Sequence, residues 1–394
     1  MYLFTCESVS AGHPDKVADV IADTIVDEML AIDPNARVAT EVFVAGKHVI
    51  IGGEVKVHES LDEAFYIACA KKALAYIGYP EKGFDKDETL YPDDLIYEIY
   101  VHRQSPDISI GVDKEGELGA GDQGMMIGYA TSERDDLMPH AIMMAREIRD
   151  ILYDYARAHP DLFGVDLKTE VVLDYATKAN FDAGKAVRVD KVIVAQSHAK
   201  TLSAQEVYER VRELIITRVS FADMIDENSE FIINGTGKFV IHGPIADSGL
   251  TGRKIVVDNY GAYAPVGGGA QSSKDYTKVD RSAHYAARWL AKHIVAADLA
   301  KRAQIELSYV IGRARPLNLT VNTFGTGMLA DEELGPMLFE RYELTPLWIM
   351  RRFSLHKPQG FSYKETAARG QVGYENYPWE RLDELEWFES LKRG

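Results

Sequence analysis

The chain is poor in cysteine, in positive charge and in long apolar runs. Its two cysteines, Cys6 and Cys69, are too few for a disulfide framework and point to a reducing compartment. Lysine and arginine number 44 against 61 acidic residues, a formal net charge of −17, which argues against a nucleic-acid or membrane surface. No apolar run approaches the roughly 20 residues that a bilayer requires. The start, Met1-Tyr-Leu-Phe-Thr-Cys-Glu7, lacks the cationic and apolar regions of a signal peptide, so a cytoplasmic location is expected. Familiar catalytic patterns are missing too. There is no Walker loop, since Gly235-Thr-Gly237-Lys238 has the wrong spacing. There is also no Gly-x-Ser-x-Gly, no zinc-type ligand spacing, and no histidine close in sequence to either cysteine.

What remains is an ordinary globular composition, 46% apolar and 27% charged over 394 residues, enough for two or three domains. Residues 14–30 read as a helix, with Pro14 at its first position and Val17, Val20, Ile21 and Ile25 on one face. Segments 37–44 and 48–55 alternate as a hairpin around Ala45-Gly46-Lys47, and a helix at 61–77 follows, capped by Ser60 with Glu63. The order recurs as helix 139–158, strands near 168–175 and 187–197, and helix 204–218 behind a Ser203–Glu206 capping box. A strand at 230–233 leads into Phe239–His242. A third copy runs through an alanine-rich helix at 282–301, strands near 304–311 and 317–323, and a helix near 331–341.

This repeat of pattern predicts an α+β fold of three similar subdomains in a pseudo-threefold arrangement, each a small mixed sheet with helices on one face. The expected divisions are an N-terminal subdomain 1–102, a gate loop 103–124, a central subdomain 125–233, a C-terminal subdomain 234–378 and a helix 379–394. The gate is expected because a long aperiodic connection is usually functional.

Cations gather where the chain as a whole has few. Residues 249–281 hold Arg253, Lys254, Lys274, Lys278 and Arg281 among Gly249, Gly252 and the triplet Gly267-Gly268-Gly269. A glycine triplet alone marks a linker, but the flank Lys254-Ile-Val-Val-Asp-Asn-Tyr260 reads as a short β-branched strand. Glycine turns beside lysine and arginine suit a polyphosphate, and Asp275 and Asp280 are candidate carboxylates for its divalent ion. A second motif, Glu7-Ser-Val-Ser-Ala-Gly-His13-Pro-Asp15-Lys16, sets a histidine and a carboxylate at a helix N-terminus, where anions are favoured. Cations, carboxylates and glycines without a nucleophile suit chemistry in which phosphate departs.

Taken together, these segments resemble the methionine adenosyltransferase (S-adenosylmethionine synthetase) family of the bacterial type. The likeness is carried by the 7–16 motif, Gly52-Gly-Glu54, Gln104-Ser-Pro-Asp-Ile108, Gly119-Ala-Gly-Asp-Gln-Gly124, Asp247-Ser-Gly-Leu-Thr-Gly-Arg-Lys254, Gly267-Gly-Gly-Ala270, Lys274-Asp275 and Lys278-Val-Asp-Arg-Ser282. The resemblance implies ATP and L-methionine as substrates, S-adenosylmethionine as product, and release of triphosphate followed by its hydrolysis. It implies His13, Lys168, Arg253, Lys254 and Lys274 as catalytic residues. Glu54, Gln104, Asp122 and Lys278 would hold methionine. ATP would be met by His13, Asp166, Lys168, Lys238, Phe239, Asp247, Arg253, Lys254, Ala270 and Lys274. Asp15 and Asp280 would bind Mg²⁺, two ions per site, and Glu41 one K⁺ per subunit. The family builds its sites between subunits, which implies a homodimer or a dimer of dimers. No nucleic acid or membrane partner is implied.

The chain departs from the family pattern at three places. Gln271 and Ser273 stand where Gly-Gly-Gly-Ala-Phe-Ser-Gly-Lys-Asp has phenylalanine and glycine; Gly235 replaces a proline; Ser109-Ile110 replaces Asn-Gln. None removes a charge. A catalytically silent nucleotide-binding subunit of the same fold, or another ATP-consuming transferase, remains open at this point.

Overall fold

The computed structural model describes residues 1–104, 113–114 and 117–393. Three units repeat one order: a long helix, an antiparallel strand pair under it, then a second helix. The first has helix Pro14–Ile32, strands Arg37–Ala45 and His48–Lys56, and helix Glu63–Ile77. The second has His140–Ala158, Phe163–Asp174, Arg188–His198 and Ala204–Arg218. The third has Val279–Ala296, Arg302–Tyr309, Asn318–Asn322 and Asp331–Arg341. In the first two units the second helix feeds a further strand, Ile96–Arg103 or Glu230–Ile233, which pairs parallel to its neighbour. The three-domain α+β fold is thus the one the sequence pattern predicts.

Each sheet also takes a strand from elsewhere in the chain. Leu3–Val9 lies antiparallel to Phe163–Asp174 in the second unit, with Val9 opposite Lys168. Gly124–Thr131 joins the third sheet beside Arg302–Tyr309. Gly249–Leu250 joins the first, opposite Val44 and Phe43. Sheet membership therefore crosses the sequence divisions 1–102, 125–233 and 234–378.

The strand pattern shows which sheet face is buried. In Arg37–Ala45, Val38, Thr40, Val42 and Val44 point under helix Pro14–Ile32, while Ala39, Glu41 and Phe43 alternate onto the other face. On that face Phe43 and Leu250 are each 38% exposed and Tyr100 is 64% exposed.

Several local expectations change. Residues 255–258 form a short helix rather than a strand. Asp258 turns to Lys16, Asn259 Nδ2 donates to the Ile255 carbonyl, and Arg146 takes the Val257 and Asn259 carbonyls, so tertiary contacts override β-branched propensity. The helix after the hairpin starts at Glu63, capped by Asp62 rather than Ser60, because the Asp62 carboxylate accepts from Phe65 N–H at 3.2 Å. The alanine-rich helix runs 279–296 instead of 282–301. The C-terminal stretch is a 3₁₀ turn, Pro378–Glu380, and a separate short helix, Leu385–Ser390. It docks through Trp379, stacked on Tyr285 at 3.7 Å, and through Glu380, which accepts from Arg288 and Lys292. Helices Pro346–Phe353 and Tyr363–Arg369 complete this part. Among the described residues no helix is long and apolar enough to cross a membrane.

Candidate active site

Helix Pro14–Ile32 is buried almost all round and still carries aspartates at positions 15, 19, 23 and 27. A spacing of four puts them on one stripe, and that stripe holds the cationic, glycine-rich segments. Asp15 accepts from Leu250 N–H at 3.0 Å and pairs with Lys254 and, at 3.6 Å, with Arg253. Asp19 accepts from Gly252 N–H at 2.9 Å and from Lys16 at 3.0 Å. Asp23 accepts from Ser273 N–H at 2.8 Å and pairs with Arg281. Asp27 takes the N–H groups of Tyr363 and Lys364. Gly249 is required by this closeness, since a Cβ there would lie 2.0 Å from the Pro14 carbonyl oxygen.

A first cluster of predicted residues surrounds the N-terminus of this helix. His13 is the N-cap, its Nδ1 accepting from Asp15 N–H at 3.2 Å. Burial pushes its pKa down to about 4, and the charges of Lys254 and Lys168 add to the effect while Asp15 opposes it. Burial disfavours charge on Asp15 as well, yet Lys254 and the Leu250 N–H hold it below the usual carboxylate range. Lys168 reaches this cluster because its strand pairs with Leu3–Val9, and it forms an ion pair with Glu7. Asp247, exposed, acts on His13 through charge.

Nearby, Asp166 is buried and accepts from Gly243 N–H at 2.7 Å. Burial raises its pKa to about 6, against the pull of His242. Phe239 follows Lys238 in an irregular segment pinned by His198, which takes the Phe239 N–H on Nε2 at 3.2 Å and donates its own N–H to the Phe239 carbonyl at 2.9 Å.

A second cluster forms around Lys274 and Asp280, paired at 2.8 Å, with Gly269 N–H donating to Asp280 at 2.8 Å. Gly268 has no room for a side chain, because a Cβ would lie 2.5 Å from the Asp280 carboxylate. Gly124, just after Asp122, lies against the same carboxylate. Ala270 packs on Gly252 and so links the two clusters. Glu41 stands beside Thr251, Ser273 and Lys274 on the exposed side of the sheet. Lys278 pairs with Asp275, which is fully buried and also accepts from Val38 N–H at 2.6 Å. Gln104 Nε2 donates to Glu54 at 3.2 Å at the far end of the exposed sheet face.

The departures from the family pattern are built into the floor beneath this loop. Gln271 is buried and bonds Asn259 at 3.0 Å, and Ser273, also buried, adopts φ 82°. Residues 105–112 and 115–116 of the expected gate, including Ser109-Ile110, lie outside the described residues. Sequence reasoning missed Asp19, Asp23, Glu81 and His242, and named Arg281 only as one cation of the 249–281 stretch. The four-residue aspartate spacing was a visible signal for the first two, and nothing local marked Glu81 or the pairing of Arg281 with Asp23.

Among the described residues no group of three His, Cys, Asp or Glu side chains is arranged to hold a metal by itself. Asp15 and Asp280, one hard oxygen donor group in each cluster, nonetheless fit Mg²⁺, which typically takes one or two carboxylates and completes its shell with substrate phosphate and water.

Three strand-exchanging sheets, each packed on a long helix, define a three-domain α+β protein in which lysines, carboxylates and glycine turns gather in two clusters. The chain belongs to the S-adenosylmethionine synthetase family. Models of that family's N-terminal, central and C-terminal domains match residues 1–106, 117–239 and 241–381. It is 44% identical over 390 residues to S-adenosylmethionine synthase 2 of Rhodospirillum rubrum, covering 97% of this chain and 96% of the relative. It is 42% identical over 405 residues to the S-adenosylmethionine synthase of Chlorobium phaeobacteroides, covering 98% and 96%. A solved structure described as an unusual S-adenosylmethionine synthetase from Campylobacter jejuni superimposes with a TM-score of 0.94 at 48% identity, covering all of both chains.

Proposed function

We propose that the chain joins ATP to L-methionine by direct displacement. The sulfur forms a bond to C5′, the C5′–oxygen bond breaks, and its electron pair leaves with the whole triphosphate. The same site then hydrolyses triphosphate to diphosphate and phosphate. A thioether has no proton to lose, so no general base is needed and the burden falls on the leaving group.

The observation that carries this reading is the state of His13. With Nδ1 committed to the Asp15 N–H and the ring neutral above about pH 4, its proton sits on Nε2. That N–H is the donor for the departing oxygen. Lys168, Arg253, Lys254 and Lys274 form the triphosphate clamp. Within the chain their partners are Glu7, Asp15 and Asp280, so these cations do not repel one another before substrate arrives. On binding, the lysines exchange carboxylate for phosphate oxygen. Asp15 and Asp280 are the residues that would hold Mg²⁺, and Glu41 K⁺; magnesium would supply neutralisation of phosphate charge. Phe239, Asp166, Asp247 and Ala270 meet adenosine, with Phe239 stacking on the base, and Lys238 is a further ATP contact. Glu54, Gln104, Asp122 and Lys278 hold the amino-acid end of methionine.

The sites lie between subunits of a homodimer or dimer of dimers. Two features support this. The sheet face bearing Phe43, Leu250 and Tyr100 is exposed, and Glu54 and Gln104 stand at its end. About 12 Å of helix also separates Asp15 from Asp23, and hence the first cluster from the Ser273–Lys274 side of the second.

Incubation with ATP, methionine, Mg²⁺ and K⁺ tests the reading. The expected products are S-adenosylmethionine, phosphate and diphosphate. ADP, or no sulfonium product, would overturn it.

A further inference from the structure

Behind the adenosine side lies a buried ion pair that the proposed chemistry does not use. Glu81 is 1% exposed and His242 is fully buried. His242 Nε2 lies 3.0 Å from Glu81 Oε1, and its Nδ1 lies 2.8 Å from the Val240 carbonyl. A carbonyl can only accept, so Nδ1 carries a proton. Glu81 already accepts from Val165 N–H at 3.0 Å and from the Thr89 hydroxyl. Nε2 faces the same oxygen that takes the Val165 N–H, the geometry of a ring protonated on both nitrogens. Burial opposes that charge, but Glu81, the Val240 carbonyl and Asp166 raise the His242 pKa overall.

The pair ties together three strands of chain that face the nucleotide. Glu81 holds Val165, next to Asp166. His242 fixes Val240, next to Phe239, while its own N–H donates to the Glu88 carbonyl at 3.0 Å. Gly243 N–H donates to Asp166 at 2.7 Å. Two residues before Glu81, the Tyr79 hydroxyl donates to the Gly12 carbonyl at 2.9 Å, beside His13. The Phe84 ring closes the top, 4.7 Å from the imidazole and nearly perpendicular to it. Glu81, Asp166 and, through Asp166, Asp247 are the charged groups that act on this assembly. A buried ion pair seldom adds net stability over an apolar core, which leaves geometry as the reason for this one.

We propose that Glu81 and His242 are positioning residues that set the spacing between Asp166 and the Phe239–Ile241 segment, and so the affinity for the adenosine part of ATP. The inference rests on the assignment of Asp166 and Phe239 to adenosine.

Steady-state kinetics on Glu81→Gln and His242→Gln test it. Each loses a charge-assisted contact, so KM for ATP is expected to rise about tenfold. KM for methionine and kcat should each stay within about twofold, as uniform binding to one substrate requires. His242→Gln should also move the acid limb of kcat/KM for ATP to higher pH, since Asp166 loses a neighbouring cation. A fall in melting temperature with both KM values unchanged would overturn the proposal. Independently of any variant, nitrogen-15 histidine spectra of the whole protein at neutral pH should show both ring nitrogens of His242 protonated; a singly protonated ring would overturn it. Phe239→Ala separates the two levels. If it raises KM for ATP while the Glu81 and His242 variants do not, only the positioning role fails; if it leaves KM for ATP unchanged, the adenosine assignment fails and the positioning role with it.

Discussion

Burial drives His13 and Asp166 in opposite directions along the pH scale. His13 falls to about 4 and Asp166 rises to about 6, so near neutrality the imidazole is uncharged and the carboxylate is ionised. The folded state binds the Asp166 proton more tightly than the unfolded chain does. That group therefore contributes stability that is full below 3.8 and lost as pH rises through about 6. His13 has the opposite sign: its contribution is present above 6.5 and lost as pH falls through about 4. Affinity for ATP should weaken as pH drops through about 6, while affinity for methionine changes little over the same interval. Calorimetric titration with a non-hydrolysable ATP analogue and with methionine at pH 5 and 7.5 checks this. Lys274→Met removes one cation of the proposed clamp and leaves Asp280 without its ion-pair partner at a partly exposed position. Turnover should fall about a hundredfold, as for loss of one preorganised donor, with the circular dichroism spectrum unchanged. Near-normal rates would remove Lys274 from the clamp.

Helix Pro14–Ile32 is the element on which the site is threaded, and its role was only half legible. Its start at Pro14 and its apolar face follow from composition, as do helices Ala204–Arg218 and Asp331–Arg341, whose ends coincide with those read from capping and periodicity. The aspartates at 15, 19, 23 and 27 were equally visible. Their meaning depends on partners that lie mostly more than two hundred residues away, such as Ser273 and Arg281 for Asp23, and no local rule supplies those. The reverse holds at Ile255–Asp258, where local β-branching points to a strand and distant contacts fold a helical turn. The motifs of the site were thus readable, but the pairing of each lysine with a particular carboxylate was not. Asp23→Ala would strand the fully buried Arg281 guanidinium, and such a loss costs about 3–5 kcal/mol. Urea denaturation should show that loss, and a change below about 1 kcal/mol would mean water reaches Arg281.

At the scale of the molecule, the exposed face of the first sheet is the feature that a single chain leaves unused. Phe43, Leu250 and Tyr100 lie together there, and Ile50 and Gly52 share that side of the sheet. Phe43→Glu puts a charge in the middle of this surface, where burying it unpaired against a second copy is costly. Sedimentation should then give a 44.0 kDa species, and activity should be lost with the oligomer although His13 and Lys274 are untouched. A dimeric Phe43→Glu protein with full activity would point to another face.

The exchanged strands also set a timetable for synthesis on the ribosome. Gly124–Thr131, largely apolar, emerges long before its partner Arg302–Tyr309. At typical elongation rates the delay is roughly ten to forty seconds. For that time a newborn chain carries an unpaired, aggregation-prone strand. Its lysines and aspartates are not brought together until segment 249–281 has been made, so a chain terminated before that point lacks the Lys254–Asp15 and Lys274–Asp280 pairs of the site.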